Sequence, residues 1–183
     1  MEDKIIKLLE AVRRRAYREG DFTLASGKKS TYYIDLKEVT LDGEGISLVG
    51  KALYPVVKSW GVDAVGGLEL GAVPISTAVC MVAAMEGENL RNVIVRKEAK
   101  GHGTRKMVEG SLFPGMKVAV VEDVVSTGGS SLRAVRWLRE AGLEVAGVVA
   151  VVDRLMGGSQ LFASENITYK YILDIDSIRN HGL

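Results

Sequence analysis

The sequence predicts an α/β fold in which a central, mostly parallel sheet is flanked by helices on both faces. Short apolar segments such as Lys117–Val121 (KVAVV) and Val145–Val152 (VAGVVAVV) alternate along the chain with longer segments of helical period. Strands that are apolar on both faces are typical of a parallel sheet covered by helices. The chain has 183 residues, 47% hydrophobic and 26% charged, which fits one packed domain over residues 1–183.

The elements follow from local pattern, in chain order. Before residue 61 the sequence predicts a helix at Asp3–Glu19, a strand at Thr31–Asp35 and a helix at Ile46–Trp60. The first helix has Ile5, Leu8, Leu9, Val12 and Ala16 on one face. Pro55 is expected to kink the third element or end it early, because proline removes a helix hydrogen bond.

The rest of the chain supplies the core sheet. Strands are predicted at Val62–Leu68, Asn92–Arg96, Lys117–Val121, Val145–Val152 and Tyr169–Leu173, and helices at Pro74–Met85 and Ser130–Ala141. Pro74 suits a first helical turn, and Gly142 suits a helix end. The segment Lys97–Pro114 has no clear period, and a loop of that length is usually functional or disordered. Ligands of such sheets bind beyond the carboxyl ends of the strands, so the residues after each strand are the informative ones.

Charge and cysteine content exclude several classes of function. The net charge of +1 gives no overall field for binding nucleic acid, and Cys80 alone forms neither an internal disulfide nor a multi-cysteine zinc site. The longest uncharged stretch, Leu70–Met85, is too short to span a membrane. Met1–Lys4 lacks the apolar region of a secretory signal, so the cytoplasm is the expected location. Neither a membrane nor a nucleic-acid partner is expected.

The segment after the Lys117–Val121 strand combines features that fit a sugar phosphate. Two adjacent carboxylates, Glu122 and Asp123, precede hydroxyls and glycines at a predicted helix start, Ser126–Ser130. Glycine backbone and an open helix N-terminus suit a phosphate. Carboxylates repel phosphate but suit ribose hydroxyls or Mg²⁺. The alternative is a plain strand–turn–helix with a Ser or Thr N-cap and an exposed acidic pair.

This run, VVEDVVSTGGS at Val120–Ser130, resembles the loop by which type I phosphoribosyltransferases bind 5-phosphoribosyl 1-pyrophosphate (PRPP). The resemblance implies that the acidic pair holds the ribose hydroxyls and the hydroxyl–glycine turn holds the 5-phosphate. No GxxxxGK[ST] motif is present and no GxGxxG follows a strand, so Walker-type and dinucleotide binding have no support.

Two further segments resemble orotate phosphoribosyltransferases in particular. The first is Phe22–Asp35 (FTLASGKKSTYYID), whose backbone amides and aromatic faces suit a flat, anionic pyrimidine, although a turn before an edge strand would look similar. The second is Val95–Lys106 (VRKEAKGHGTRK), within a region of local charge +5 from Arg91 to Lys106. It resembles the catalytic lid of that family, which reaches the neighbouring subunit's site and so implies a homodimer. A solvated charged loop is the alternative.

Weaker signals and two departures complete the resemblance. Arg154 follows Asp153 at a strand end, where the family places an arginine against orotate; a salt bridge to Asp153 or another acid is the alternative. Gly66–Pro74 (GGLELGAVP) occupies the position of the pyrophosphate loop. Ala25 and Gly71 stand where many bacterial members have lysines, so leaving-group binding is expected to depend on the lid, Mg²⁺ and backbone amides.

The resemblance, from about Phe22 to Arg154, implies the type I phosphoribosyltransferase fold, with a small hood at about residues 1–40 and a core at about 45–175. The implied reaction is that of orotate with PRPP, assisted by Mg²⁺ held mainly through PRPP, to give orotidine 5′-monophosphate and pyrophosphate in pyrimidine biosynthesis. The implied catalytic residues are Lys100, His102, Arg96 and Lys97. The PRPP-binding set comprises those four with Glu122, Asp123, Val124, Val125, Ser126, Thr127, Gly128, Gly129 and Ser130. The orotate-binding set comprises Ser126, Arg154, Tyr32 and Tyr33.

Two other functions stay open on the same scaffold. A phosphoribosyltransferase for another base would share the PRPP loop, and a panel of bases would separate it from the orotate enzyme. A PRPP-binding transcriptional regulator would need a DNA-binding surface, whereas only about twenty residues precede Phe22 and the chain is nearly neutral. His181 is expected to be a surface residue.

Overall fold

The main sheet has six strands, and all of its neighbouring pairs are parallel except the one at its β5 edge. The computed structural model describes residues 2–23, 27, 29–98 and 106–181. The strands of the main sheet are β3 (Ala64–Leu68), β4 (Arg91–Val95), β5 (Val108–Glu109), β6 (Lys117–Val125), β7 (Glu144–Asp153) and β8 (Tyr169–Asp174), in the order β5-β4-β3-β6-β7-β8. The predicted α/β class with a mostly parallel sheet is confirmed.

Seven helices and a two-stranded hairpin complete the described part of the chain. The helices are α1 (Glu2–Ala11), α2 (Lys37–Thr40), α3 (Gly43–Ser59), α4 (Ala72–Met85), α5 (Gly129–Glu140), α6 (Gly158–Ser164) and α7 (Ile175–Asn180). The antiparallel hairpin comprises β1 (Tyr17–Thr23) and β2 (Lys29–Ile34). None of the helices is long and apolar enough to cross a membrane.

Alternating side chains of the central strands face two separate apolar cores. In β6, Ala119 and Val121 pack with Leu53 and Ile75 from α3 and α4. Val118 and Val120 pack in the other core with Leu132, Leu138 and Phe162 from α5 and α6. This two-residue period is what a strand imposes, and it explains why Val118–Val121 of β6 are all apolar.

The first predicted helix is too long. Helix α1 ends at Ala11, a π-helical turn follows at Val12–Ala16, and the chain then enters β1 at Tyr17. Tyr17 pairs with Ile34 of β2 and stacks on Tyr32 with ring centroids 5.9 Å apart. This contact with a distant strand overrides the local helical pattern.

The helix predicted at Ile46–Trp60 ends within one residue of its predicted end, but Pro55 does not end it early, and one predicted strand end is wrong. Helix α3 continues through Pro55 to Ser59, because Leu53 and Val57 are fully buried on either side and their packing outweighs one lost hydrogen bond. Strand β6 does not stop at Val121 but extends to Val125, because β7 supplies pairing partners as far as Asp153. The predicted helices at Pro74–Met85 and Ser130–Ala141 are confirmed to within two residues at each end.

Candidate active site

A cleft of about 420 Å³ lies at the carboxyl ends of β3, β4 and β6. Parallel strands bring these ends to one edge of the sheet, which is where the fold predicts a ligand site. Its walls come from four segments that are far apart in sequence. The lining residues are Lys37, Leu68, Glu69, Leu70, Gly71, Lys97, Glu122, Asp123, Val124 and Ser130.

The two predicted carboxylates differ in their surroundings. Glu122 is only 7% exposed, and its carboxylate accepts a hydrogen bond from Ser131 Oγ at 2.7 Å. Burial raises the pKa of Glu122 to about 8, and the charge of Asp123 adds to this shift. Asp123 is half-buried, and its Oδ2 lies 2.6 Å from where a Cβ on Gly71 would stand. The absence of a side chain at position 71 therefore leaves room for the Asp123 carboxylate.

The turn between β6 and α5 exposes backbone N–H groups at a helix start. Ser126 and Thr127 lead into Gly128, whose φ of 83° is in the left-handed region that favours glycine. No described side chain caps α5, so its first N–H groups remain available to an anion. A Cβ on Gly128 would also lie 3.0 Å from the buried ring of Phe162 in α6. Packing of α6 against Gly128 therefore fixes the conformation of the turn.

The predicted PRPP-binding residues of this region are thus close together, but four of them belong to a strand. Glu122, Asp123, Val124 and Val125 lie within β6, and the turn itself begins at Ser126. Val124 lines the cleft, whereas Val125 is buried and its carbonyl accepts a hydrogen bond from the backbone N–H of Arg154. Gly129 and Ser130 form the first turn of α5.

Arg154 lies beside this turn and is surrounded by hydroxyl groups. Its Nε donates a hydrogen bond to the Tyr32 hydroxyl at 3.0 Å, and its terminal nitrogens are 3.4 Å from Ser126 Oγ and 3.5 Å from Ser30 Oγ. In the part of the chain that the structure describes, Arg154 has no ion pair with a carboxylate. An arginine held only by neutral acceptors is suited to bind an incoming anion.

Asp153 does not neutralise Arg154. It is fully buried, and its Oδ1 accepts a hydrogen bond from the Leu155 N–H at 2.7 Å. Its Oδ2 accepts one from the Tyr169 hydroxyl at 2.8 Å. The alternative that Arg154 forms a salt bridge to its neighbour is therefore wrong for the folded chain.

The two predicted orotate-binding tyrosines point to different surroundings. Tyr32 is 8% exposed and contacts Arg154, whose guanidinium carbon is 4.7 Å from the ring centroid. Tyr33 is 43% exposed and packs on Phe22, with ring centroids 5.6 Å apart. Neighbouring strand residues alternate between faces, and only Tyr32 is brought together with Arg154.

The predicted lid residues divide into described and undescribed positions. Lys100 and His102 lie outside the described residues, as do Ala25 and the rest of 99–105. Lys97 lines the cleft, and its backbone N–H donates to the Glu69 carboxylate at 3.0 Å. Arg96 is directed towards β5, with Nη1 4.0 Å from Glu109 Oε1.

Sequence reasoning missed Lys37 and Glu69. Lys37 lines the cleft from the start of α2 and forms a 2.6 Å ion pair with Asp35, which raises the pKa of Lys37. No local signal marked Lys37, because the TYYID strand before it belongs to the antiparallel β1–β2 hairpin and not to the parallel sheet whose strand ends gather ligands. Glu69 lies in the predicted pyrophosphate loop and joins it to the chain after β4. Nothing within that loop marked Glu69 individually.

The chemistry of the cleft suits a magnesium ion that arrives with a phosphorylated substrate. Within residues 2–23, 27, 29–98 and 106–181, no three His, Cys, Asp or Glu side chains are grouped to hold a metal ion. Mg²⁺ commonly keeps several waters and takes its remaining oxygens from substrate phosphates. The acidic pair suits ribose hydroxyls and the open amides suit phosphate oxygens, and oxygens of this kind are the ligands that such an ion would use.

Comparisons with known proteins agree with this geometry. The sequence profile of the phosphoribosyl transferase domain matches residues 37–179. The chain is 50% identical over 164 residues to an orotate phosphoribosyltransferase of Aquifex aeolicus, covering 88% of this chain and 90% of that one.

Solved structures give the same result. An orotate phosphoribosyltransferase from Mycobacterium tuberculosis, in complex with Fe(III) dicitrate, superposes with a TM-score of 0.85 at 37% identity, covering 98% of this chain and 99% of that chain. The same enzyme in complex with PRPP gives a TM-score of 0.81 at 34% identity, covering 96% and 99%.

Proposed function

This chain belongs to the orotate phosphoribosyltransferase family, enzymes that transfer ribose 5-phosphate from PRPP to orotate, and we propose how its own residues perform that transfer. PRPP occupies the cleft between the β6–α5 turn and the Glu69–Gly71 segment. Orotate lies beside it against Arg154. The product pair is orotidine 5′-monophosphate and pyrophosphate, a step of pyrimidine biosynthesis.

The PRPP half uses the backbone and residues close to it. The N–H groups at the start of α5, with the hydroxyls of Ser126, Thr127 and Ser130, bind the 5-phosphate. Asp123 and Glu122 accept hydrogen bonds from the ribose hydroxyls. The pyrophosphate group faces Lys97, Lys37 and the backbone at Gly71. The two lysines compensate in part for the lysine that many bacterial members have at position 71.

The acceptor half uses side chains. The guanidinium of Arg154 binds the orotate carboxylate, and Ser126 and Tyr32 lie against the same group. The ring nitrogen N1 of orotate then attacks the anomeric carbon as the bond to pyrophosphate breaks, and the proton of N1 is released to solvent. No covalent intermediate with the protein is needed, because the nucleophile is the base itself.

Electrostatics fit the charges that develop in this reaction. Positive charge on the ribosyl group is stabilised by Asp123, while Glu122, whose raised pKa leaves it largely protonated at neutral pH, acts through hydrogen bonds. Negative charge on pyrophosphate is stabilised by Lys97, Lys37 and the lid residues Lys100 and His102. When bound, Mg²⁺ neutralises part of the pyrophosphate charge. A closing lid would exclude water and hold the two substrates in line.

One observation carries the proposal: Ser126 belongs both to the phosphate turn and to the surroundings of Arg154. A sugar phosphate and an anionic base bound on either side of this serine are adjacent. The test is the consumption of orotate followed by absorbance, with PRPP and Mg²⁺, against uracil, adenine and hypoxanthine as acceptors. Turnover of orotate alone is expected; turnover of another base instead would assign this chain a different acceptor.

The homodimer with a lid acting in trans is part of the same proposal. Met81 and Met85 are one helical turn apart on α4 and are 62% and 83% exposed. An exposed apolar stripe on a helix is the kind of surface that a second subunit covers. Light scattering is expected to give the mass of a dimer.

Complementation tests the lid directly. Lys100→Ala and Asp123→Asn proteins are each expected to lose turnover by orders of magnitude. Mixed dimers would contain one intact site if Lys100 serves the partner's cleft, so mixing should restore activity. Failure to complement, with subunit exchange verified, would instead show that each chain completes its own site. Location in the cytoplasm, without membrane or nucleic-acid partners, stays a prediction of the sequence.

A further inference from the structure

Behind Arg154, the Tyr32 ring contacts two residues that the reaction as described above does not use, Tyr17 and Arg179. The Tyr32 ring has two arginines against it, with guanidinium carbons 4.7 Å (Arg154) and 4.4 Å (Arg179) from its centroid. Tyr17 stacks on Tyr32, with ring centroids 5.9 Å apart. Cation–π contacts of this kind are favourable and fix the plane of the guanidinium group.

Arg179 is held in place from its own side. Helix α7 begins with a capping box, in which Asp174 accepts from the Ser177 N–H at 2.7 Å and its own N–H donates to Ser177 Oγ at 3.2 Å. Ile178 is fully buried in the core. The next residue is Arg179, whose Nε donates to the Tyr17 hydroxyl at 3.3 Å. The Arg179 guanidinium is therefore positioned by the backbone of α7, by its hydrogen bond to the Tyr17 hydroxyl and by the Tyr32 ring.

The charge at this place is not balanced. Within the described part of the chain, neither Arg154 nor Arg179 forms an ion pair with a carboxylate. Other arginines of the chain do, as Arg15 does with Asp42 at 2.8 Å. Two cations without a carboxylate partner lie against the buried Tyr32 ring, and they favour an anion close to them because their own partial burial weakens solvent screening.

We propose that Arg179, fixed by Tyr17, is a positioning residue for Arg154: it holds the Tyr32 ring against which Arg154 is oriented and thereby sets the preference of this site for a pyrimidine that carries a carboxylate. Arg179 acts through Tyr32 and does not touch the substrate. The inference rests on the proposed function, since it concerns how the orotate-binding arginine is oriented.

The experiment compares steady-state kinetics of four variants. Arg179→Gln removes the planar cation, Arg179→Lys keeps the charge but loses the Nε donor, and Tyr17→Phe removes only the acceptor hydroxyl. The matched control is Arg91→Gln, which removes a guanidinium group whose carbon lies 5.2 Å from the Phe113 ring centroid. Arg91 is the first residue of β4, at the end of the strand away from the cleft. For each protein, KM for orotate, KM for PRPP, kcat and inhibition by uracil are measured.

The expected result is specific to one substrate. Arg179→Gln should raise KM for orotate about tenfold, which corresponds to the loss of one modest charge-related interaction. KM for PRPP should change less than about twofold, and uracil, which has no carboxylate, should inhibit as in the wild type. Arg179→Lys and Tyr17→Phe should give smaller increases of the same kind, and Arg91→Gln should give none.

Each other outcome has a definite meaning. If KM for orotate is unchanged in both Arg179→Gln and Tyr17→Phe, the inference is overturned while the proposed function stands. A fall in kcat with both KM values unchanged would show loss of folded protein only and would also overturn it. If Arg179→Gln fails to fold, Tyr17→Phe and Arg179→Lys decide. A wild-type protein that does not consume orotate would overturn the proposed function itself.

Discussion

The two halves of the site are built in different ways. The proposed PRPP half is local: Glu122 and Ser131 are nine residues apart in sequence, and the turn between them presents mainly backbone. The acceptor half is assembled from distant side chains, since Arg154 meets Tyr32 across 122 residues and Arg179 meets Tyr17 across 162 residues. A local backbone site can be recognised as a motif, whereas a distributed side-chain site requires the fold.

This contrast predicts different sensitivities. The local half should be most sensitive to changes of backbone conformation and least sensitive to loss of any one hydroxyl. The distributed half should be sensitive to single side chains, including ones that never touch the substrate. The following predictions are ordered by the size of the expected effect.

The largest effect is expected for Gly128→Val. A branched side chain at φ 83° is strained, and its Cβ would lie 3.0 Å from Phe162, so the substitution should cost about 2–4 kcal/mol and distort the phosphate turn. PRPP binding measured by titration calorimetry should fall below detection. The matched control for stability is Gly129→Ala, where a Cβ meets nothing within 4 Å; its unfolding midpoint should not fall. Retained PRPP binding by Gly128→Val would mean that the turn does not hold the phosphate.

Arg154→Leu should come next. It removes the one described guanidinium that lies beside Ser126 of the phosphate turn, and loss of a charge-assisted hydrogen bond of about 2–3 kcal/mol lowers kcat/KM for orotate about a hundredfold. PRPP affinity should change little, because that half of the site does not use this side chain. Arg136→Leu, which breaks an exposed ion pair to Glu165, is the control. Equal losses for both substrates would show that the halves are not separate.

The same contrast explains what could be predicted from sequence. The acidic pair, the turn and the α5 start were recognisable because their contacts lie within ten residues. Arg154 and Tyr32 were assigned by resemblance, and their mutual contact was not predictable from either segment. Arg179 and Lys37 were missed, because nothing local distinguishes them from other surface cations.

The errors in the fold have the same origin. The helix predicted to run to Glu19 gives way to β1 because Tyr17 pairs with Ile34, seventeen residues later. Strand β6 extends beyond Val121 because β7 pairs with it. The core strands and helices were predicted well, because their apolar periodicity is set by the same two cores that bury them.

Lys37→Ala should have a moderate effect that places this residue in the PRPP half. Its side chain lines the cleft, and in the proposed binding mode it faces the pyrophosphate group. Loss of one partly exposed cation should lower kcat/KM for PRPP about tenfold, with KM for orotate unchanged, and Lys37→Arg should restore most of it. Lys58→Ala, which removes an exposed ion pair to Glu88, is the control. A change confined to orotate would move Lys37 to the acceptor half.

The smallest effect, and the one of opposite sign, is expected for the stability of Glu122→Gln. A glutamate in the unfolded chain loses its proton near pH 4.3, whereas burial raises the pKa of Glu122 in the folded protein to about 8. Between these values the unfolded chain binds fewer protons, so the free energy of unfolding of the wild type falls as the pH rises. Glutamine does not ionise, so the free energy of unfolding of the variant does not fall with pH for this reason. The variant should therefore be more stable than the wild type by at least about 1 kcal/mol at pH 8 and equal to it near pH 4.

The measurement is urea unfolding of both proteins across pH 4–8, with PRPP binding followed in parallel. PRPP affinity should fall about tenfold in Glu122→Gln, because the buried carboxylate is kept for the ribose at a cost to stability. Glu88→Gln is the control of opposite sign, since Lys58 lowers the pKa of Glu88 and its loss should destabilise the protein at neutral pH. If Glu122→Gln instead destabilises the protein at pH 8, the bond from Ser131 outweighs burial. Glu122 would then be a structural part of the turn, and the local half of the site would bind ribose through Asp123 alone.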